Sequence, residues 1–189
     1  MPRFGENWDD RESPLAYLIS IRTYGTWLHG DERGSVDNHG IYDRRGAPYR
    51  PPDAGLLRVM RENMQGKPYL LSSKTRPVVH ESITNVCKHR GYGLLSLNVR
   101  SNQAHSVVSA QEKPEQIAIV FKSYATRSLR ERGLATADVK IWSRGRSRKY
   151  LWDDRQVAVA IDYVLYCQGD EDLDAWNDRA GGQVFGPVD

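Results

Sequence analysis

The alternation of hydrophobic and polar positions along the chain predicts four strands. Residues 16–28, AYLISIRTYGTWL, alternate and are rich in β-branched and aromatic side chains, as strands are. Two further strands, Leu94–Val99 and His105–Val108, flank the short polar link RSNQA, and this spacing predicts a hairpin. Residues 138–152, DVKIWSRGRSRKYLW, fit either one strand or a hairpin.

Apolar side chains that recur every three or four residues predict the helices. The three longest segments of this kind are 77–91, 113–133 and 153–170. The segment LLRVMRENM, 56–64, fits a shorter helix. Asp153 or Asp154 is expected to cap the last helix, because an aspartate oxygen at this position accepts a hydrogen bond from the first turn.

The order of these elements is strand, helix, strand, strand, helix, strand, helix. This order predicts a ferredoxin-like α+β fold, in which an antiparallel sheet carries helices packed on one face. At 189 residues the chain suits a single domain over 1–189. Its core is expected at about 15–169, with a long loop at about 28–55 that is rich in Gly, Pro, Asp and Arg, and an acidic tail at about 170–189.

Composition excludes several classes of protein. Hydrophobic residues make up 39% and charged residues 27%, as in a globular domain. No apolar run approaches the roughly 20 residues that span a bilayer, and the start MPRFGENWDDRES lacks the apolar centre of a signal peptide. Two cysteines are too few for a disulfide framework or a Cys-based zinc site. We therefore expect a cytoplasmic protein that makes no use of a membrane.

The positive charge is concentrated in one short segment. The net charge is only +3, but KIWSRGRSRK, 140–149, contains no acidic residue. Its cations are Lys140, Arg144, Arg146, Arg148 and Lys149. Together with Trp142 and Tyr150 they suit a nucleic acid, whose phosphates need cations and whose unpaired bases stack on aromatic rings. The alternative is a solvated basic hairpin without a ligand.

Several separated blocks of sequence resemble one known family. YLISIRTYGTWLHGDERGSVD, CKHRGYGLLSLNVRSN, FKSYATRSLRERG and WSRGRSRKYLWDD followed by YVLYCQG are similar to the single-tyrosine transposases of the HUH superfamily, including their REP-associated relatives. The resemblance covers about Tyr17 to Gly169. It implies a homodimer that cuts and rejoins single-stranded DNA at imperfect hairpins, with a divalent metal, Mg²⁺ or Mn²⁺, and no nucleotide cofactor.

The resemblance also implies a metal site on the strand after the hairpin turn. The family's pattern of two histidines around an apolar residue falls on Gln103, Ala104 and His105, so that Gln103 replaces the first histidine. A glutamine oxygen is a suitable ligand for Mg²⁺ or Mn²⁺, and the site is then retained. Alternatively the site has decayed, because Ala104 and Ser106 also depart from the larger apolar residues expected there. The family's third ligand lies one turn after the tyrosine, which is Cys167 in this chain, and Gln168, one residue later, is the candidate for this role. Without the resemblance, His105 would be interpreted as a buried, hydrogen-bonded histidine.

The nucleophile implied by the resemblance is a tyrosine on the last helix, which would form a 5′-phosphotyrosine and release a 3′-hydroxyl. Tyr163 and Tyr166 are the candidates, and the family pattern places Tyr163 at this position. At about 100° per residue, Tyr163 lies beside the apolar face of the helix and Tyr166 points away from it. An aromatic side chain that merely packs on a neighbour is the alternative for Tyr163.

A second basic cluster lies in FKSYATRSLRER, where Lys122 and Arg127 are candidates for contacts with DNA phosphates. Helix surfaces are also commonly basic for solubility alone. The function expected from the whole sequence is a single-strand DNA transposase. The alternative is a domesticated or catalytically impaired protein that binds hairpin DNA without cutting it.

Overall fold

The computed structural model describes residues 13–35 and 50–166, which contain four strands and four helices. The strands are β1 (Ala16–Thr23), β2 (Gly93–Val99), β3 (Gln103–Ser109) and β4 (Trp142–Leu151). The helices are α1 (Ala54–Glu62), α2 (Thr75–Arg90), α3 (Pro114–Glu131) and α4 (Asp154–Tyr166). Each element overlaps a segment that the hydrophobic pattern predicted, but β3 begins at Gln103, inside the link that was predicted to be the hairpin turn.

The strands form one sheet in the order β2-β3-β1-β4, with every neighbouring pair antiparallel. The predicted α+β class and antiparallel sheet are confirmed. Residues 142–151 form one strand rather than a hairpin, because they pair with β1 from Ala16↔Leu151 to Thr23↔Trp142. The pairing of β1 with β4 is regular from Ala16 to Ile21, and the register shifts between Ile21 and Thr23.

Both faces of the sheet are covered by helices. On one face, which we call the α3 face, Ile19 and Ile21 of β1 pack with Phe121 of α3 and with residues of α2. On the opposite face, the α4 face, Leu18 packs with Val164 of α4. The prediction that the helices lie on one face is therefore wrong for α4. Side chains alternate between the two faces of a strand, and β1 is apolar on both, so each face needs a cover.

The ends of the helices follow the local sequence. Asp153 caps α4, since its carboxylate accepts a hydrogen bond of 2.8 Å from the backbone N–H of Gln156. Gly91, at φ 69°, ends α2 in the left-handed conformation that glycine adopts without strain. Helix α2 begins at Thr75, which places Pro77 in its first turn, where its missing N–H is not needed.

The single domain over 1–189 stays a prediction. Part of its loop, 36–49, and its acidic tail lie outside the described residues, as does Gln168. Where the loop is described, Ser35 and Arg50 form a bridge that brings its two ends together. Over 13–35 and 50–166, no helix has both the length and the apolar character needed to cross a membrane.

Candidate functional site

His105 lies at the centre of a polar row that crosses the α4 face of the sheet. Its partners in the strand register are Asn98 on β2 and Ser20 on β1, and Ser20 in turn is paired with Ser147 on β4. His105 is only 4% exposed. Its Nδ1 lies 2.6 Å from the hydroxyl oxygen of Ser20, whereas its Nε2 is buried without a hydrogen-bond partner. A buried polar atom of this kind needs a ligand or another partner.

The environment of His105 keeps the imidazole neutral. Burial, and then the positive charges of Arg22 and Arg100, lower the pKa of His105 to about 3. When Nδ1 carries the hydrogen and donates it to Ser20, Nε2 presents a lone pair. A neutral imidazole with a free lone pair is the form in which histidine binds metals. A hydrogen bond donated by the other ring nitrogen commonly fixes this tautomer.

Tyr163 packs against His105 from helix α4. The two rings meet edge to face, with centroids 5.7 Å apart and planes at 83°. Tyr163 is half-buried, whereas Tyr166, the competing candidate, is 60% exposed. The helix therefore presents the phenol of Tyr163 to the histidine.

Asn98 joins the tyrosine helix to the sheet. Its side-chain amide donates a hydrogen bond of 2.9 Å to the carbonyl oxygen of Val164, the residue after Tyr163. Reasoning from the sequence missed Asn98. The available signal was a polar side chain in β2 that shares its face with His105 across the hairpin.

Gln103 and Ala104 follow the alternation of β3. Gln103 is the first residue of the strand, two positions before His105, and is paired with Arg22. Its side chain therefore projects to the α4 face, as that of His105 does, while Ala104 is buried in the core on the α3 face. The strand brings together the two candidate ligands that lie inside the described residues.

The donor set at this site fits a divalent ion only in part. His105 offers the orphaned Nε2, and Gln103 offers an amide oxygen. Within 13–35 and 50–166, no group of three His, Cys, Asp or Glu side chains is placed to hold a metal. A metal would thus be held by His105 and Gln103 together with donors from water, DNA phosphate or the undescribed part of the chain.

Two arginines that the sequence did not single out place positive charge beside this site. Arg22 lies opposite Gln103 in the register, and its guanidinium lies 3.9 Å from the centroid of the Trp27 ring. Arg22 and Arg100 both act electrostatically on His105. Such charges favour the approach of an anion such as a phosphate.

Alternation divides the basic segment of β4 between the two faces. Lys149 is paired with Leu18 and lines, with Tyr163, a cavity of about 300 Å³ on the α4 face. Arg146 and Arg148 are paired with Ile21 and Ile19 and project to the α3 face. Arg148 forms an ion pair there with Glu115 of α3.

The remaining predicted DNA contacts lie away from Tyr163 or are already engaged. Trp142 is buried and donates from its indole nitrogen to the Thr126 hydroxyl at 3.1 Å, so the interpretation of this ring as a stacking surface for bases is wrong. Lys140 places its ammonium 4.5 Å from the ring centroid of Tyr24. Arg144 is exposed, and the guanidinium of Arg127 lies over Tyr124 at 5.5 Å.

Lys122 holds the beginning of β4. Its ammonium donates hydrogen bonds to the carbonyl oxygens of Ser143, at 3.0 Å, and Gly145, at 2.8 Å. Burial, and then the charge of Arg146, lower the pKa of Lys122 to about 8. These contacts give Lys122 a structural role, and its predicted contact with DNA stays a prediction.

Several solved structures are similar to this chain, and two of them are described by function. One is a REP-associated tyrosine transposase bound to a REP hairpin, with a TM-score of 0.47 and 10% identity over 96% of this chain and 76% of that one. The other is a proposed transposase from Deinococcus radiodurans, with a TM-score of 0.44 and 11% identity over 84% of this chain and 92% of that one.

The chain is thus similar in structure to one tyrosine transposase and one proposed transposase. No protein-family model matches it, and no curated protein matches it significantly. At this level of similarity nothing about the chemistry of this chain follows from the two structures.

Proposed function

We propose that this protein is a tyrosine nuclease and strand transferase that acts on single-stranded DNA carrying imperfect hairpins. One observation carries the proposal. The phenol of Tyr163 lies against a buried, neutral histidine whose Nε2 has no partner, on a face where Arg22 and Arg100 supply positive charge. One surface then carries the nucleophile Tyr163, the candidate metal ligand His105 and positive charges that attract a phosphate.

In the proposed reaction the phenolic oxygen of Tyr163 attacks a DNA phosphorus atom. A bond forms between that oxygen and phosphorus, and the bond from phosphorus to the 3′ oxygen breaks with its electron pair. The phenolic proton ends on this 3′ oxygen, so the products are a 5′-phosphotyrosine and a free 3′-hydroxyl. Rejoining is the reverse attack by a 3′-hydroxyl on the phosphotyrosine.

The residues around Tyr163 have distinct roles in this proposal. His105 and Gln103 hold a Mg²⁺ or Mn²⁺ ion, with Gln168 as a further ligand. Such an ion, when bound, withdraws charge from the scissile phosphate. Ser20 fixes the orientation of His105, and Arg22 attracts the phosphate from a position braced by Trp27.

Binding of the DNA that carries the hairpin is assigned to the cations that the sequence predicts for it. They are Lys122, Arg127, Lys140, Arg144, Arg146, Arg148 and Lys149. Phosphate contacts of this kind give affinity that falls as salt is added. We also propose a homodimer, on the strength of the resemblance in sequence alone.

A specific observation favours a second candidate function, binding of hairpin DNA without cleavage. Gln103 stands where the family pattern has histidine, and the described residues contain no cluster of three His, Cys, Asp or Glu that could hold a metal. A two-donor site binds a metal more weakly than a three-donor site. In this case Tyr163 would remain a packing residue.

A covalent-capture experiment tests the proposal. The protein is incubated with Mn²⁺ and a hairpin-bearing single strand that is labelled on the 3′ side of the cleavage point, and adducts are separated under denaturing conditions. We expect an adduct with the wild type and with Tyr166→Phe, but none with Tyr163→Phe. Tight hairpin binding without any adduct would instead establish the second candidate function.

Replacement of the first ligand separates a weakened site from an absent one. Gln103→His restores a nitrogen ligand two positions from His105 on the same face. An increase in adduct formation by this variant identifies Gln103 as the limiting residue. If both proteins are inactive while Mn²⁺ binds the variant, the defect lies beyond the metal site.

A further inference from the structure

The α3 face of β4 carries an aromatic pair beside two arginines. Tyr150 is paired with Tyr17 of β1 and shares its face with Arg146 and Arg148, because all three even-numbered residues alternate with the α4-face positions. Trp152 follows directly after β4, and its ring stacks with that of Tyr150. We call Arg146, Arg148, Tyr150 and Trp152 the edge stripe.

The two rings of the edge stripe are both held in place and accessible. Their planes are 16° apart and their centroids 6.3 Å apart, while Tyr150 is 40% and Trp152 39% exposed. Tyr17, which is buried, supports Tyr150 edge to face at 5.3 Å. The backbone N–H of Trp152 donates to the side-chain oxygen of Gln156 at 2.9 Å. Little side-chain freedom remains to be lost when a ligand binds.

The two rings, which stack on each other and stay about 40% exposed, offer a flat apolar surface on which a further ring can stack. Arg146 and Arg148 favour a negatively charged ligand, because both side chains project from the same face of the same strand. Arg148 is partly neutralised by Glu115 of α3, whereas Arg146 is exposed and lies close enough to Lys122 for its charge to lower the pKa of that ammonium. A flat, apolar group attached to an anionic backbone satisfies both parts of the stripe.

We propose that the edge stripe is a stacking site for an unpaired base of single-stranded DNA, with the adjoining phosphates on Arg146 and Arg148. The choice of DNA as ligand rests on the proposed function, but the stripe itself needs neither Tyr163 nor a metal. It lies on the opposite face of the sheet from His105. The single strand is therefore held on one face and cut on the other, and it passes around the β4 edge.

Binding of a fluorescein-labelled oligothymidylate, followed by anisotropy without added metal, tests this site. Stacking of one base contributes on the order of 1–3 kcal/mol, so Trp152→Leu should weaken binding about tenfold. Tyr150→Leu should have a similar effect. Tyr166→Leu, which removes an exposed tyrosine from α4, is the matched control and should bind as the wild type does.

A DNA strand with abasic sites tests the same stacking contact without changing the protein. The result then does not depend on whether a variant folds. The wild type should bind the abasic strand about tenfold more weakly, and Trp152→Leu should no longer distinguish it from the intact strand. The proposal is overturned if Trp152→Leu weakens binding of the intact strand and of the abasic strand by the same factor. It is also overturned if Trp152→Leu binds the intact strand as tightly as the wild type does. Tyr163→Phe should retain the whole effect, so failure of cleavage and failure of stacking are separate outcomes.

Discussion

Asn98 of β2 donates a hydrogen bond to the carbonyl oxygen of Val164, the residue that follows Tyr163 on α4. Asn98 is also the register partner of His105. One side chain thus connects the strand that faces the histidine with the helix that carries the proposed nucleophile. The spacing between Tyr163 and His105 depends on this contact as well as on apolar packing.

Replacement of Asn98 should slow cleavage more than it weakens DNA binding. Asn98→Leu keeps the size of the side chain but removes a hydrogen bond that contributes about 1 kcal/mol. We expect several-fold slower adduct formation at saturating DNA, with an unchanged dissociation constant for the hairpin. Asn85→Leu, on the exposed side of α2, is the control. If the loss appears in the dissociation constant instead, Asn98 contacts DNA and does not position Tyr163.

Removal of the Ser20 hydroxyl should weaken metal binding through His105. Ser20→Ala leaves Nδ1 of the imidazole without its partner at 2.6 Å. Loss of such an outer partner typically lowers metal affinity about 10- to 100-fold, and titration calorimetry with Mn²⁺ measures the change. Ser106→Ala is a matched control, because Ser106 is equally buried but projects to the other face of β3. Equal affinity in all three proteins would show that Ser20 does not orient His105 for metal binding.

His105 should make the fold less stable in acid. Its pKa is about 3 in the folded protein and near 6.5 in the unfolded chain. Between these values the unfolded state binds a proton that the folded state does not, so stability falls as the pH falls, by up to about 1.4 kcal/mol per pH unit. Stability from this group is complete above about pH 6.5.

Urea denaturation with a chelator present, at a series of pH values, measures this dependence. His105→Gln should show a flatter profile below pH 6.5 than the wild type does. His89→Gln, which changes an exposed histidine at the end of α2, should keep the wild-type profile. Parallel profiles for the His105 variant and the wild type would mean that the imidazole takes up its proton in the folded state.

Lys122 should matter for stability as well as for any contact with DNA. Lys122→Met keeps the apolar stem but removes the hydrogen bonds to the Ser143 and Gly145 carbonyl oxygens. Hydrogen bonds from charged groups contribute about 1.5–3 kcal/mol each, and the half-buried site reduces this figure, so we expect a loss of about 2 kcal/mol in urea denaturation. Arg127→Met, at an exposed position of the same helix, should lose little stability.

The outcome for Lys122→Met also divides its two candidate roles. A variant that is destabilised but binds hairpin DNA with wild-type affinity and salt dependence has lost only the anchor of β4. A variant of unchanged stability with weaker binding would show that the ammonium serves DNA rather than the β4 backbone.

The sequence by itself determined the class of the fold and the order of its elements. Periodicity is a local property, so β2, β3, α3 and α4 could be placed from their own side chains, and the capping choice lay between adjacent aspartates. The burial of His105 and the position of Tyr163 beside the apolar face of its helix also follow from local pattern.

Only the tertiary structure decided which residues share a site. Ser20 and His105 are 85 residues apart, and Asn98 and Val164 are 66 apart. Such neighbours depend on strand register and on the face that a helix covers, neither of which the local pattern specifies. The packing of α4 on the sheet face opposite to α2 and α3 was likewise decided by the tertiary structure. Because β1 is apolar on both sides, the pattern required two covers for the sheet but did not say which helix would supply each.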